Sequence, residues 1–202
     1  MKNILIILFS LVLFSEAKSQ TFMERGLLRA EGWFAPGVML NQKATNFYIH
    51  GDLEYYIDRH ISIRGDGFFF IGSSSDQKPF EFHHSWFSGA AWHFGKTSTE
   101  SSGMADHFDP YIGFAPGLSI TKSVQGVQIL PGEFQSTKFN PLFSPYLGFN
   151  FYAQKIFHLF VEARYVGGTH FPDYAAPVSL SEIRFSFGLG WNLKTAGKRR
   201  QG

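Results

Sequence analysis

The stretch TNFYIHGDLEYYIDRHISIRGDGFFFIG, from Thr45 to Gly72, gives the clearest indication of the fold. Apolar and polar residues alternate along it on both sides of the tight turn Asp58-Arg59-His60. A period of two predicts β-strands, and runs of about a dozen residues are longer than the ~5–6 residues usual in soluble sheets. One face is almost purely apolar, and the other gathers charges and hydroxyls. This polarity predicts a β-hairpin that has lipid on one side and a polar lumen on the other.

The same alternation recurs along the rest of the chain and predicts the fold class: all-β, an eight-stranded antiparallel up-and-down transmembrane β-barrel. The predicted strands are 26–40, 45–58, 61–72, 82–95, 109–121, 144–153, 158–166 and 181–193. Turns at 59 and near 155 are short and would be periplasmic, while loops 73–81, 122–143 and 167–180 are longer and would be external. The connections 41–44 and 95–108 depart from that asymmetry.

The ends of the chain predict its processing. Residues 1–19 have a charged start, an apolar run and a small-residue cleavage pattern, which is typical of a secretory signal peptide. We expect an N-terminal segment at 20–25, the outer-membrane barrel at 26–193 and a basic periplasmic tail at 194–202. The chain has no cysteine, so disulfides are excluded. It has 18 basic and 16 acidic residues, a balance that does not favour nucleic acid as a partner.

Lysine placement argues for a membrane protein. All lysines after the signal segment fall in or beside predicted turns, loops or the tail, and none falls inside a predicted strand. A soluble barrel or sandwich would place lysines on its solvated strand faces. A lysine on the lipid face near the bilayer midplane costs roughly 2–4 kcal/mol. The pattern therefore favours a membrane barrel over a soluble lipocalin-like carrier, which would reverse the two faces.

The strand count, the stretch FVEARYV at 160–166 and the closing strand IRFSFGLGWNL at 183–193 resemble the small eight-stranded outer-membrane barrel families, similar to OmpX and the OmpA membrane domain. The resemblance implies the cell outer membrane of a Gram-negative-type bacterium as the location. It also implies outer-membrane lipid, lipopolysaccharide and the barrel assembly machinery as partners. The implied role is structural or one of surface interaction through the external loops, without a wide channel. The loop ligand stays unknown.

Charged residues on the inward faces form the first candidate site. If the first turn centres on Arg59, cross-strand partners have numbers that sum to 118, so Glu54 faces Arg64 and Asp52 faces Asp66. We expect Arg29 to neutralise the two opposed aspartates, and a second cluster to lie nearer the outer rim. Two interpretations stay open, a paired polar core that fills a narrow lumen and a proton or ion path. The predicted lumen network comprises Arg29, Glu31, Asp52, Glu54, Arg64, Asp66, Glu162, Arg164, Glu182 and Arg184.

His83 and Ser85 form the second candidate site, because a period of two puts them on one face near the outer rim. A His–Ser pair with a supporting carboxylate is the arrangement used in acyl hydrolysis. The pair resembles the His-x-Ser of outer-membrane lipid A deacylases, which implies a lipid-modifying hydrolase as an alternative function. Spacing does not select the third member among Glu81, Glu133, Glu162 and Glu182.

Aromatic residues near the periplasmic strand ends predict an interfacial girdle, formed by Tyr55, Trp92, Phe94 and Trp191. The eight histidines show no clustered ligand spacing, so we expect neither a metal site nor a cofactor. Inward glycines would make room for large inward rings, among them Trp33 and Phe68.

Overall fold

The computed structural model describes residues 23, 25–74, 80–95, 107–123, 137–154, 156–172 and 176–194. The described chain is built from β-strands. They are β1 (Leu27–Met39), β2 (Thr45–Tyr56), β3 (Ile61–Ser73), β4 (Phe80–His93), β5 (Phe108–Ser123), β6 (Thr137–Phe151), β7 (Phe157–His170), β8 (Val178–Ser179) and β9 (Glu182–Lys194). In this part of the chain no helix is long and apolar enough to cross a membrane.

The eight long strands close into one antiparallel barrel. Neighbours in sequence are neighbours in the sheet, with β9 taking the place beside β7 and β1. The pairing of β6 with β7 completes the ring. The two-residue β8 is an addition that pairs with the end of β7. The end of the barrel where β1 begins and β9 finishes is called the terminal end below, and the opposite end is called the loop end.

Strands β6 and β7 are longer than predicted. β6 begins at Thr137 rather than at 144, and β7 continues to His170 rather than stopping at 166. Pro141 and Pro145 in β6 lower strand propensity, as do two glycines in β7, so these stretches resemble loops in sequence. The ladder with β5 nevertheless extends to the Lys122–Thr137 pair. As a result Lys122 and Lys138 lie inside strands, and the prediction that no lysine does so is wrong.

The interior of the barrel is polar and the outside is apolar. Side chains alternate between buried and exposed along the strands. The exposed set is almost entirely large and apolar, for example Ile49, Leu53, Ile63, Phe114 and Leu147. A soluble carrier of the lipocalin type would need the opposite arrangement, with an apolar interior and a charged exterior.

Trp33 is an exception to the predicted faces. It was expected inside, but it is 57% exposed. Its register partners are His50 and Gly188. The His50 ring stacks on Phe68 at 4.2 Å between centroids and packs edge-on against Phe160 at 6.2 Å. These rings pack in the interior next to the position of Trp33.

Candidate functional site: the charged interior

The interior contains all ten charged residues that the sequence analysis placed there, and each is at most 6% exposed. They form three groups along the barrel. The terminal-end group is built on Arg29 and Glu54, the central group on Arg64 and Arg164, and the loop-end group on Glu182 and Arg184. Burying a charge is costly unless it is paired and hydrogen-bonded, so the partners of each group decide what the interior can do.

The terminal-end group brings together residues from β1, β2, β4 and β5. Arg29 forms an ion pair with Glu54 and lies 3.6 Å from Asp109. His93 lies between the two acids, with Nε2 3.0 Å from Glu54 and Nδ1 2.8 Å from Asp109. Carboxylate oxygens only accept hydrogen bonds, so this geometry suits a His93 ring that carries a proton on both nitrogens. The Tyr152 hydroxyl accepts from Arg29 at 2.7 Å.

The central group is organised by two arginines. Arg64 lies 2.7 Å from Asp52 and 2.6 Å from both Asp66 and Glu162. Arg164 lies 2.8 Å from Glu162 and 3.2 Å from Asp66. Because Arg64 is on β3 and Glu162 is on β7, the group connects strands on different sides of the barrel.

Two histidines complete the central group. His158 Nε2 lies 2.7 Å from Glu31 Oε1. His50 Nε2 lies 3.4 Å from Asp66 and 3.7 Å from Asp52. His50, Asp52 and Asp66 can each offer one ligand atom, and these atoms lie within 4.8 Å of one another. Among the described residues, these three could hold a metal ion.

The loop-end group surrounds Glu182. Arg184 donates to it at 2.7 Å, Tyr48 at 2.9 Å and Asn46 at 2.9 Å. Arg184 also donates to the Ser85 hydroxyl at 2.6 Å. The carboxylate therefore has three donors.

Aromatic rings fill the space between the groups. The ring of Phe68 has the guanidinium of Arg164 on it at 4.8 Å and that of Arg184 at 4.8 Å. Arg64 and Arg164 both lie over the Tyr146 ring, at 5.2 Å and 4.9 Å. Such cation–π contacts stabilise desolvated guanidinium groups, and the rings occupy the volume that a pore would need.

Apolar clusters close both ends of the filled interior. At the terminal end, Met23, Leu27, Tyr56 and Tyr152 pack together and are at most 3% exposed. At the loop end the buried cluster includes Met39, Ala44, Phe80 and Leu180. In the described structure the charged groups thus lie between two apolar layers.

The pairing of the predicted charges differs from expectation. Glu54 and Arg64 are register partners, as are Asp52 and Asp66. The ion pairs do not follow that register, since Glu54 pairs with Arg29 and Arg64 neutralises the aspartates. A guanidinium on a long side chain reaches past its opposite neighbour in a lumen this narrow.

The expected second cluster is also divided. Glu162 and Arg164 belong to the central group and are bonded to residues of β3. Glu182 and Arg184 form the loop-end group by themselves with neutral partners. Arg164 and Arg184 are register partners on β7 and β9, but Arg164 contacts the acids of the central group and Arg184 contacts Glu182.

His83 and Ser85 are both buried and face the interior, but they do not form a hydrogen-bonded dyad. His83 Nδ1 lies 3.3 Å from the Tyr48 hydroxyl, and Ser85 accepts from Arg184. A nucleophilic serine requires a base within hydrogen-bond reach. Glu182 is bonded to Tyr48 and Arg184, so it does not orient His83 directly. Of the other proposed third members, Glu81 is bonded to Lys122, Glu162 to the central arginines, and Glu133 lies outside the described residues.

The predicted girdle residues all lie on the outside at the terminal end. Tyr55, Trp92, Phe94 and Trp191 are between 40% and 58% exposed. They lie at or just beyond the ends of β2, β4 and β9. The placement is that of side chains at one membrane interface.

Four interior residues of these groups were missed by the sequence analysis: His50, His93, Asp109 and His158. Period-two alternation already places His50 and His93 inward, and Asp109 shares a face with Tyr111. The contacts of His93 with Glu54 and of His158 with Glu31 join strands that are not neighbours in the sheet, and alternation alone does not reveal such contacts. His50, in contrast, lies beside Asp66 of the neighbouring strand.

Several predictions concern residues outside the described part of the chain. They are the signal peptide at 1–19, most of the segment 20–25, and the tail beyond Lys194. The stretches 75–79, 96–106, 124–136 and 173–175 of the predicted connections also lie outside it.

No family model and no curated protein matches the sequence. Solved structures do match the fold. OprG of Pseudomonas aeruginosa is similar at a TM-score of 0.62 and 10% identity, over 86% of this chain and 98% of that one. Neisserial surface protein A is similar at a TM-score of 0.56 and 14% identity, over 84% of this chain and 96% of that one. The N-terminal β-barrel domain of Pseudomonas aeruginosa OprF is similar at a TM-score of 0.55 and 12% identity, over 84% of this chain and 98% of that one. At these identities the likeness establishes the fold, so the chain is a closed barrel of the small eight-stranded outer-membrane type.

Proposed function

We propose that this protein is an outer-membrane barrel without a wide channel, which acts as a scaffold for its external loops. The observation that carries the proposal is the filled interior. Arg29, Arg64, Arg164 and Arg184 are each at most 3% exposed, and each is bonded to carboxylates inside the barrel. An eight-stranded barrel has an interior just wide enough for side chains to fill.

The filled interior argues against passage of solutes. An ion that crosses the lumen would have to displace the central group, where Arg64 has three carboxylate partners within 2.7 Å. Breaking a buried ion pair by removal of one partner costs about 3–5 kcal/mol. The apolar layers at the two ends add a second barrier, because an ion loses its hydration there.

The outside of the barrel supports the membrane location. Its exposed residues are apolar, and aromatic side chains gather at the terminal end. A soluble monomer rarely exposes an apolar patch larger than a few hundred Å². Lipid and lipopolysaccharide are the proposed partners of this surface, and the barrel assembly machinery is the proposed partner during insertion.

Loops on a rigid scaffold are the usual carriers of binding, so surface interaction through the external loops is the finer part of the proposal. The geometry of His83 and Ser85 gives no support to the hydrolase alternative, because Ser85 is engaged by Arg184. The polar interior and apolar outside of the barrel give no support to the soluble-carrier alternative.

The proposal is tested by conductance. Purified protein would be inserted into planar bilayers, with a general porin in the same lipid as the positive control. We expect no large, steady current per inserted barrel, since the interior is filled. A reproducible open level comparable with that of the porin would overturn the closed-scaffold proposal and favour transport.

A further inference from the structure

The three interior groups differ in their charge balance. In the loop-end group Glu182 is matched by Arg184. In the terminal-end group Glu54 and Asp109 are matched by Arg29 and by His93, whose two ring nitrogens both face carboxylates. These two groups are therefore balanced by their own side chains.

The central group has more acids than arginines. Its acids are Glu31, Asp52, Asp66 and Glu162, and its permanent cations are Arg64 and Arg164. All six are at most 6% exposed. With His50 and His158 neutral, two negative charges are left over in a space that has low access to water; a proton on His158, whose Nε2 lies 2.7 Å from Glu31, would leave one. An uncompensated buried charge is expensive.

Free ligand atoms lie where the excess charge lies. Asp52 Oδ1 has no hydrogen-bond partner within the described structure, and the His50 ring turns Nε2 towards both aspartates. Glu31 Oε2 also lacks a partner there, because His158 is bonded to the other oxygen. Glu31 is the register partner of Asp52 on the neighbouring strand. Side chains opposite each other on one face of a sheet have Cβ atoms about 4.5–5.5 Å apart, so Glu31 projects into the lumen at the same level as Asp52.

We propose that the centre of the barrel binds one divalent metal cation through His50, Asp52 and Asp66, with Glu31 as the fourth ligand. One such ion offsets the negative charge that the two arginines leave unmatched. A set of one imidazole and carboxylates suits an ion of the Mn²⁺ or Zn²⁺ type.

The geometry is compatible with such an ion. Bonds from Zn²⁺ to nitrogen or oxygen are about 2.0–2.2 Å, so ligands on one ion are at most about 4.4 Å apart. The ligand atoms lie within 4.8 Å of one another. His50 Nε2 lies 3.7 Å from Asp52 Oδ2 and 3.4 Å from Asp66 Oδ1, so the side chains close on one ion by small shifts. Arg64 contacts Asp52 through Oδ2 and Asp66 through Oδ1, and Arg164 contacts Asp66 through Oδ2. The arginines then orient the carboxylates from outside, as partners of metal ligands commonly do.

The test loads the ion during folding, because the ligands are buried. The full mature chain is refolded from urea into detergent with Mn²⁺ or with a chelator, and bound Mn²⁺ is counted by electron paramagnetic resonance after free ion is removed. We expect one Mn²⁺ per barrel, displaced by Zn²⁺, with one imidazole nitrogen seen in pulsed spectra. We also expect a higher urea midpoint than in chelator, because binding to the folded state alone stabilises it.

Two ligand variants and a matched control locate the site. Asp52→Asn should weaken Mn²⁺ binding by more than about tenfold, a size reached even by loss of residues that only support ligands. His50→Gln should remove the nitrogen signal. Glu182→Gln removes a buried acid of the balanced loop-end group. It should leave the Mn²⁺ affinity and the nitrogen signal unchanged.

Absence of saturable binding to the wild-type protein at millimolar Mn²⁺ would overturn the proposal. Equal binding by wild type and Asp52→Asn, or equal weakening by Glu182→Gln, would also overturn it, since the ion would then lie elsewhere. If Asp52→Asn fails to fold, the nitrogen signal and its loss in His50→Gln decide the question. None of these results depends on whether the barrel conducts ions.

Discussion

Replacement of Arg64 tests the interior network at the residue that has the most ion pairs. Arg64→Met keeps a long side chain but removes the cation from three carboxylates, Asp52, Asp66 and Glu162, which lie 2.6–2.7 Å away. Methionine fills irregular space well, so loss of charge rather than a cavity dominates the effect. We expect a clear fall in the free energy of unfolding.

The size of that fall follows from the burial of the partners. Removal of one member of a buried pair costs about 3–5 kcal/mol. Three acids lose a partner here, but Arg164 still contacts Asp66 and Glu162. Asp52 therefore bears most of the loss, and we expect a single-mutant cost near the upper part of that range, about 4–5 kcal/mol.

A double-mutant cycle assigns the coupling. Asp52→Asn combined with Arg64→Met should recover part of the loss, with a coupling energy of about 1–3 kcal/mol. Glu54→Gln combined with Arg64→Met should recover nothing, because Glu54 is paired with Arg29. Urea unfolding in detergent or lipid vesicles, followed by tryptophan fluorescence and by the gel shift of the folded barrel, measures each free energy.

Recovery with Glu54→Gln but not with Asp52→Asn would refute this assignment of ion pairs. It would return the pairing to the register partners Glu54 and Arg64. An Arg64→Met protein as stable as the wild type would contradict the dry, paired interior itself, since only a wet lumen could solvate the three acids.

Three further predictions concern the wall of the barrel. Phe187→Arg, at a side chain 48% exposed, should destabilise the barrel folded in lipid by roughly 2–4 kcal/mol. The folding yield into lipid vesicles should fall as a result, and a well-folded Phe187→Arg protein would contradict the assigned face. Gly148→Ala should cost about 1–3 kcal/mol in urea unfolding, because its Cβ would lie 2.6 Å from the Tyr111 hydroxyl; Gly65→Ala, which meets nothing within 4 Å, is the control, and equal costs would argue against overpacking. In cell fractionation the mature protein should partition with outer membranes and need detergent, and recovery as a monodisperse protein without detergent would refute the membrane assignment.

The fold was accessible from sequence because alternation and the tight turn act locally. Residue numbers that sum to 118 place Asp52 opposite Asp66, and the structure has the same register. The turn leaves no freedom in that hairpin, since a shift by one residue would move every apolar side chain into the lumen.

The site was less accessible because its contacts join distant strands. Arg64 reaches Glu162, 98 residues further along the chain, and no local pattern selects that acid over Glu54. The His50–Asp52–Asp66 cluster lies within one hairpin and was missed for a different reason. His50 and Asp52 share a face by period two, but the histidine was not considered together with the acid pair across the hairpin.

Prolines explain the misplaced strand ends. Pro141 pairs with Leu118 in the β5–β6 ladder although proline is depleted in strands. The fifteen-residue β6 is held by pairing along its length, which overrides the local propensity. Boundaries of this kind depend on the neighbouring strand and not on the residue alone.

The apolar outside of the barrel is expected to contact lipid. The native tryptophans test this contact without any mutation. All four tryptophans of the chain, Trp33, Trp86, Trp92 and Trp191, are 39–57% exposed on the barrel. The wild-type protein would be folded into vesicles of ordinary and of brominated phosphatidylcholine, and the two emission intensities compared. We expect strong quenching by bromine on the acyl chains together with weak quenching by aqueous iodide. Emission that iodide quenches and brominated lipid leaves unchanged would contradict it.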